Sequence, residues 1–224
     1  MTISDRSRST LRATVTIVVA ALIYEAVART GYFPPALMPT LPKVWHALLA
    51  SMLDGTMIGH AAATLYRVLV GLGLAVAVGL PLGILMARWK PIENFFMPLV
   101  SALMPIPSLA WVPIFILWFG LGNTVAILIV FYAALFPMLL NTWTGVRQAF
   151  LRAWIAVIGA EFLAASDFGL GWVIFDAKEF LNADLMLASL IVIGAIGFAF
   201  ERLVFGSIEK ATVQRWGMVR AAKG

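Results

Sequence analysis

Among the ionisable residues within or at the edges of the long apolar runs of this chain, Glu25, Arg67, Glu161 and Glu201 are the candidates for a functional role. A charge inside a membrane-crossing segment is costly, so each is read first as functional: a proton relay, a solute ligand or an ion pair inside a bundle. Glu161 sits in Gly159-Ala160-Glu161-Phe162-Leu163-Ala164-Ala165. It either lines a pathway or caps and pairs near the outer face. Pairing is the preferred reading, because intramembrane charges find partners within the bundle. Glu25 has Arg29 one helical turn later. Arg67 is placed to snorkel to the outer interface. Glu201 precedes Arg202 near the inner end of an apolar run, where it is solvated or paired.

A second feature is a broken apolar stretch. Residues 99–122, LVSALMPIPSLAWVPIFILWFGLG, are apolar enough for a bilayer but are interrupted by Pro105, Pro107 and Pro113. Each proline removes an amide donor and clashes with the preceding turn. In lipid the freed carbonyls must find partners inside protein or along a wet cavity. The stretch therefore reads either as a helix bent around a pathway or as a kinked structural span, since proline is common in membrane helices. The pathway reading makes Pro105, Pro107, Ser108, Trp111, Pro113 and Glu161 candidate path residues.

Enzymatic chemistry finds no motif. There is no H-E-x-x-H, G-x-S-x-G or G-x-x-x-x-G-K-[ST], so no catalytic residue is expected and the chain should not hydrolyse ATP itself. It has no cysteine, which excludes disulfides and thiolate metal sites. His46 and His60 lie outside the long apolar runs, and no metal site is expected, because zinc needs several converging ligands. The net charge of +5 is no nucleic-acid signature, because the basic residues cluster at the ends of apolar runs.

The elements that must position these groups follow from composition. The chain is 62% hydrophobic and 12% charged, with mean hydropathy +0.96, far from a soluble average. About six apolar runs approach or reach the ~20 residues that cross a hydrocarbon core. They cover 11–28, 64–87, 95–119, 124–143, 150–165 and 185–205, the fifth being the short one. The first is read as an uncleaved span rather than a secretory signal. The expected fold is all-α: a polytopic membrane protein with a single transmembrane domain over 1–224. Lys and Arg set its orientation. Arg6, Arg8 and Arg12 precede the first run, Arg88 and Lys90 follow the second, Arg147 and Arg152 follow the fourth, and Lys210, Arg215, Arg220 and Lys223 follow the sixth. The tails 1–10 and 206–224, and so both termini, are expected to be cytoplasmic.

Two further segments carry packing information. The outer connection 30–63 holds Pro34, Pro35, Pro39 and Pro42, then Val44, Leu48, Leu49 and Met52 at helical spacing, which reads as an interfacial helix. Gly71, Ala75, Gly79 and Gly83 recur every four residues in the second run, a ridge of small residues that lets another helix come close.

Taken together, these residues resemble the membrane permeases of ABC-type importers for nitrate, sulfonates, taurine and related small anions. The run Pro105-Ile106-Pro107-Ser108-Leu109-Ala110-Trp111-Val112-Pro113, then Trp118-Phe119-Gly120-Leu121-Gly122, looks like that family's third-span signature. Phe136-Pro137 with Asn141-Thr142-Trp143-Thr144-Gly145-Val146 resembles the end of its fourth span. Ala160-Glu161-Phe162-Leu163-Ala164-Ala165 and Gly169-Leu170-Gly171 resemble the fifth-span exit. Pro39, Pro42 and Val44 match the outer connection, and Gly79-Leu80-Pro81-Leu82-Gly83 the second span. The resemblance implies a type I ABC importer permease fold and a pore of two permease copies in membrane lipid. It also implies two cytoplasmic ABC ATPases that bind ATP and Mg, and a periplasmic or lipid-anchored substrate-binding protein. The setting it implies is a bacterial inner membrane.

The chain departs from the family at one place. The E-A-A-x-x-x-G coupling segment that follows the fourth span, and the start of the fifth, are missing: Gly145-Val146-Arg147-Gln148-Ala149-Phe150 runs straight into Leu151-Arg152-Ala153-Trp154. The fourth and fifth spans are then expected to form a tight hairpin with the fifth truncated. Beside the importer reading stands a second, an uncoupled permease relic with a structural or regulatory role. A third, an ion-coupled transporter or intramembrane enzyme, is disfavoured by the scatter of single charges.

Overall fold

A computed structural model of this 224-residue chain describes residues 3–140, 143–163 and 166–205. Among them all regular structure is helical. The tail 206–224, with its four basic residues, lies outside the described residues, as do Ala164 and Ala165 and the side chains of Arg6 and Arg8.

Helix α1 (Ile3–Arg29) leads into α2 (Leu41–Leu53), which starts beside Pro42, a residue suited to a first turn because it has no amide to leave unpaired. Glu25 pairs with Arg29 at 2.6 Å, as the four-residue spacing predicts. Its other carboxylate oxygen accepts from Leu41 N at 2.7 Å and so caps α2, while the Tyr24 hydroxyl donates to Pro39 O at 2.8 Å. Along the rest of its span α1 is open to its surroundings. Helix α2 buries Val44, Leu48 and Ser51 against α9 and α3. Leu49 and Met52 stay exposed, so the buried face is narrower than the four-residue apolar set expected for a helix lying on the interface.

Helix α3 (Thr56–Arg88) begins earlier than the apolar run, inside the connection expected to reach residue 63. Helix α4 (Lys90–Leu103) stops at the prolines. A 3-10 turn (Ser108–Trp111) and α5 (Val112–Phe119) follow, with an 85° change of direction between the two halves. At 14 residues, α4 is about 21 Å long, too short to cross a ~30 Å core alone.

Helices α6 (Asn123–Leu140) and α7 (Trp143–Phe162) pack against one another as an antiparallel hairpin. The two residues between them, Asn141 and Thr142, lie outside the described set. Here the structure corrects the sequence reading. The fifth helix starts at Trp143, so Arg147 and Arg152 stand inside it rather than in a connection. Among the described residues four helices are long and apolar enough to cross a membrane, α1, α3, α6 and α9 extended to Leu203, and α7 is not one of them. The bent pair raises that number to five, against the six expected. Helix α8 (Leu170–Glu179), α9 (Ala183–Ala199) and a π-helical turn (Phe200–Phe205) complete the described chain.

The main core lies among α2, α3, α6, α7 and α9, around Val68, Ala75, Val130, Ala134, Ala153, Val157 and Val192. The small-residue ridge of α3 faces α6. A Cβ added at Gly71 would meet Ile127 O at 2.8 Å, one at Gly79 would meet Met138 Cβ at 2.8 Å, and one at Gly83 would meet Leu139 O at 2.7 Å; Ala75 is fully buried. Such close approach sustains helix contact where lipid supplies no hydrophobic drive.

Candidate functional site: a bent span and a buried ion pair

The bend between α4 and α5 opens a cavity of about 350 Å³ against α6 and α7. Pro105, Pro107 and Ser108 line it from the break, Tyr132 and Phe136 from α6, and Arg152 and Ile155 from α7. Two of the carbonyls that lose a donor to the prolines find another: Leu103 O accepts from Ile106 N at 3.0 Å and Leu109 O from Val112 N. The Tyr132 hydroxyl also donates to Leu103 O, at 2.7 Å. A side chain from a neighbouring helix thus takes the place of the lost intrahelical donor.

Trp111 and Pro113 are not on this wall. The Trp111 ring packs on the far side of the turn, 5.8 Å from Phe115 and 5.6 Å from Tyr132 between centroids. Val112 and Ile129 seal the cluster behind it.

Glu161 lies elsewhere too. Its carboxylate, 0% exposed, meets Arg67 Nη1 at 2.6 Å, and the Arg67 side chain is 2% exposed. The Thr64 hydroxyl donates to both carboxylate oxygens, at 3.0 and 2.9 Å, and Gly171 N donates to Oε2 at 3.0 Å. Arg67 also donates through Nε to Asn123 Oδ1 at 2.8 Å and through Nη1 to Phe168 O. Thr64 accepts from Leu170 N at 2.9 Å, and His60 Nδ1 accepts from Gly169 N at 2.9 Å while its ring stacks on Phe168. Arg67 therefore does not snorkel. It is the centre of a knot joining α3, the start of α6, the end of α7 and the loop into α8. Gly169, at φ +135°, permits this: a Cβ there would overlap the Glu161 carboxylate. On the opposite side of the molecule Arg147 pairs with Glu201, linking α7 to the π-helical turn.

Three groups escape a reading of the sequence: Tyr132, Arg152 and the role of Arg67. Tyr132 carries no signal within its apolar run. Arg152 lies within the fifth run but is counted there only among the basic residues that set orientation, and its place on the cavity wall comes from the fold.

The family model described as the binding-protein-dependent transport system inner membrane component matches residues 79–148, from the C-terminal part of α3 through the bend into α7. A protein described as an ABC transporter permease in Methanocaldococcus jannaschii is 32% identical over 210 residues, covering 75% of this chain and 79% of the relative. The chain belongs to the ABC transporter permease family. This permease is also similar to the taurine transport system permease protein of Escherichia coli, 28% identical over 229 residues with 83% of each chain covered. A bicarbonate transport system permease protein of Synechococcus elongatus is 28% identical over 202 residues, with 73% of this chain and 70% of the relative covered. The bent, all-helical arrangement is thus a type I ABC permease fold in a transmembrane transport protein.

Proposed function

We propose that this permease is the pore subunit of an ATP-driven importer of small anions such as nitrate, sulfonates or taurine. The observation that carries the reading is the cavity at the broken third span, in a chain whose relatives are permeases named for taurine and bicarbonate. Two copies form the pore within the lipid. Cytoplasmic ATPases hold ATP and Mg and drive it, and a periplasmic or lipid-anchored binding protein delivers the anion. The chain itself holds no cofactor and performs no catalysis. It lies in a bacterial inner membrane with both termini cytoplasmic; the Arg147–Glu201 pair then marks the inner side and the Arg67–Glu161 knot the outer. Deleting the gene lowers binding-protein-dependent uptake of nitrate, taurine or short sulfonates. Unchanged uptake of all three refutes the proposal.

A second reading, an uncoupled permease relic, is favoured by one feature. Helix α6 reaches α7 across only Asn141 and Thr142, with no coupling segment between them. Two comparisons support the loss. The family match stops at Gln148, and an alignment of 210 residues takes in only 75% of 224, so it crosses positions of the relative that have no counterpart here. The relic forms a stable membrane dimer that stimulates no ATPase.

A further inference from the structure

Arg152 stands near the middle of α7, on the wall of the cavity at the bend. Among the described residues it has no ion-pair partner, and no acidic side chain lines the cavity with it. Arg152 is exposed on that wall, and an unpaired charge in a helix bundle at a membrane faces a wet cavity or a counter-charge. The other polar groups nearby do not offset it. Of the α4 carbonyls, Val100 O is occupied by Met104 N, and Leu103 O by Ile106 N and the Tyr132 hydroxyl. Ser108 is left as a small hydroxyl on the same wall. The space, about 350 Å³, is roughly ten times a water's share of liquid volume, enough for a small oxyanion with some of its hydration. A guanidinium presents a planar fork of donors that matches two oxygens of such an anion at once.

We infer that Arg152 makes this cavity a binding site for one small oxyanion and acts as the residue that selects anions over cations on the path. The inference rests on the importer reading for its place in transport, but the site itself is testable without transport.

The chain has no cysteine, so Ser108→Cys supplies a single thiol on the cavity wall. In nanodiscs its labelling rate is measured with the anionic 2-sulfonatoethyl methanethiosulfonate and the cationic 2-(trimethylammonium)ethyl reagent, each relative to a free thiol. The anionic reagent is expected to be favoured about fivefold or more, and methanesulfonate should slow it. Arg152→Gln should bring the ratio to about one, and Arg152→Lys should keep most of the preference while losing the protection by methanesulfonate, since an ammonium lacks the bidentate fork. A ratio that Arg152→Gln leaves unchanged overturns the inference, as does an introduced thiol that reacts with neither reagent. Charge-dependent labelling without uptake retires the importer and keeps the site; uptake with charge-blind labelling does the reverse.

Discussion

Arg67 and Glu161, 94 residues apart in sequence, meet at 2.6 Å with almost no exposure of either side chain. The pair closes one end of the bundle. Through Asn123, Phe168 O and Gly171 N it fixes the start of α6 and the loop into α8 relative to α3. Each charge is compensated several times over, as a buried ion must be.

Removing one partner leaves the other charge buried and alone. Glu161→Ala or Arg67→Ala is expected to cost about 3–5 kcal/mol, read as a large drop in the detergent melting temperature. The double variant Arg67→Ala with Glu161→Ala should lose less than the sum of the singles. Strict additivity would contradict the coupling.

Gly169→Ala should weaken the same knot from the loop side. The new methyl meets both a left-handed backbone, at φ +135°, and the Glu161 carboxylate. The expected loss is about 1–3 kcal/mol, the range for strain at a special backbone position. An unchanged melting temperature would show that the loop moves freely away from Glu161.

The α3–α6 contact is tested by two glycines on one helix. Gly79→Val should destabilise by about 1–3 kcal/mol through overpacking against Met138 and Leu135. Gly73 faces open space, so Gly73→Ala should be neutral or gain up to about 1 kcal/mol of helix propensity. Equal effects at the two sites would rule out the ridge as the contact.

Tyr132→Phe removes one donor from the bend. Its hydroxyl is bonded to Leu103 O, and a typical hydrogen bond of this kind contributes about 0.5–1.5 kcal/mol. The expected result is a small loss of stability with faster labelling of Ser108→Cys as the break loosens. Slower labelling would mean that the hydroxyl holds the bend open.

Local chemistry is legible in the sequence and distant pairing is not. Three prolines within nine residues announce a broken helix, because their effect reaches only one turn. The Gly71–Gly83 ridge and the Glu25–Arg29 pair are likewise written at four-residue spacing. Arg67 resembles a snorkelling residue because nothing near it in sequence reveals Glu161. Glu161 is a candidate path residue for which pairing is the preferred reading; the fold pairs it with Arg67, off the cavity wall, but nothing near it in sequence names that partner. Arg152 is read with Arg147 only as one of the basic residues that set orientation, although the run 150–165 already includes it; the fold places both within α7, which begins at Trp143.

The short α6–α7 connection leads to a distinct expectation. Inserting a relative's coupling segment between α6 and α7, after Thr142, should raise ATPase stimulation severalfold. No change, with the complex intact, would show that other inner surfaces already carry the docking.

The most direct test of the central claim is ATP hydrolysis by the proposed partner ABC ATPase, measured in nanodiscs that hold the tagged permease and the proposed binding protein. An importer pore subunit retains the ATPase in a stoichiometric complex and raises its hydrolysis when the loaded binding protein is added. A folded permease that retains no ATPase, or one whose hydrolysis ignores the binding protein, contradicts the importer account and leaves the uncoupled relic.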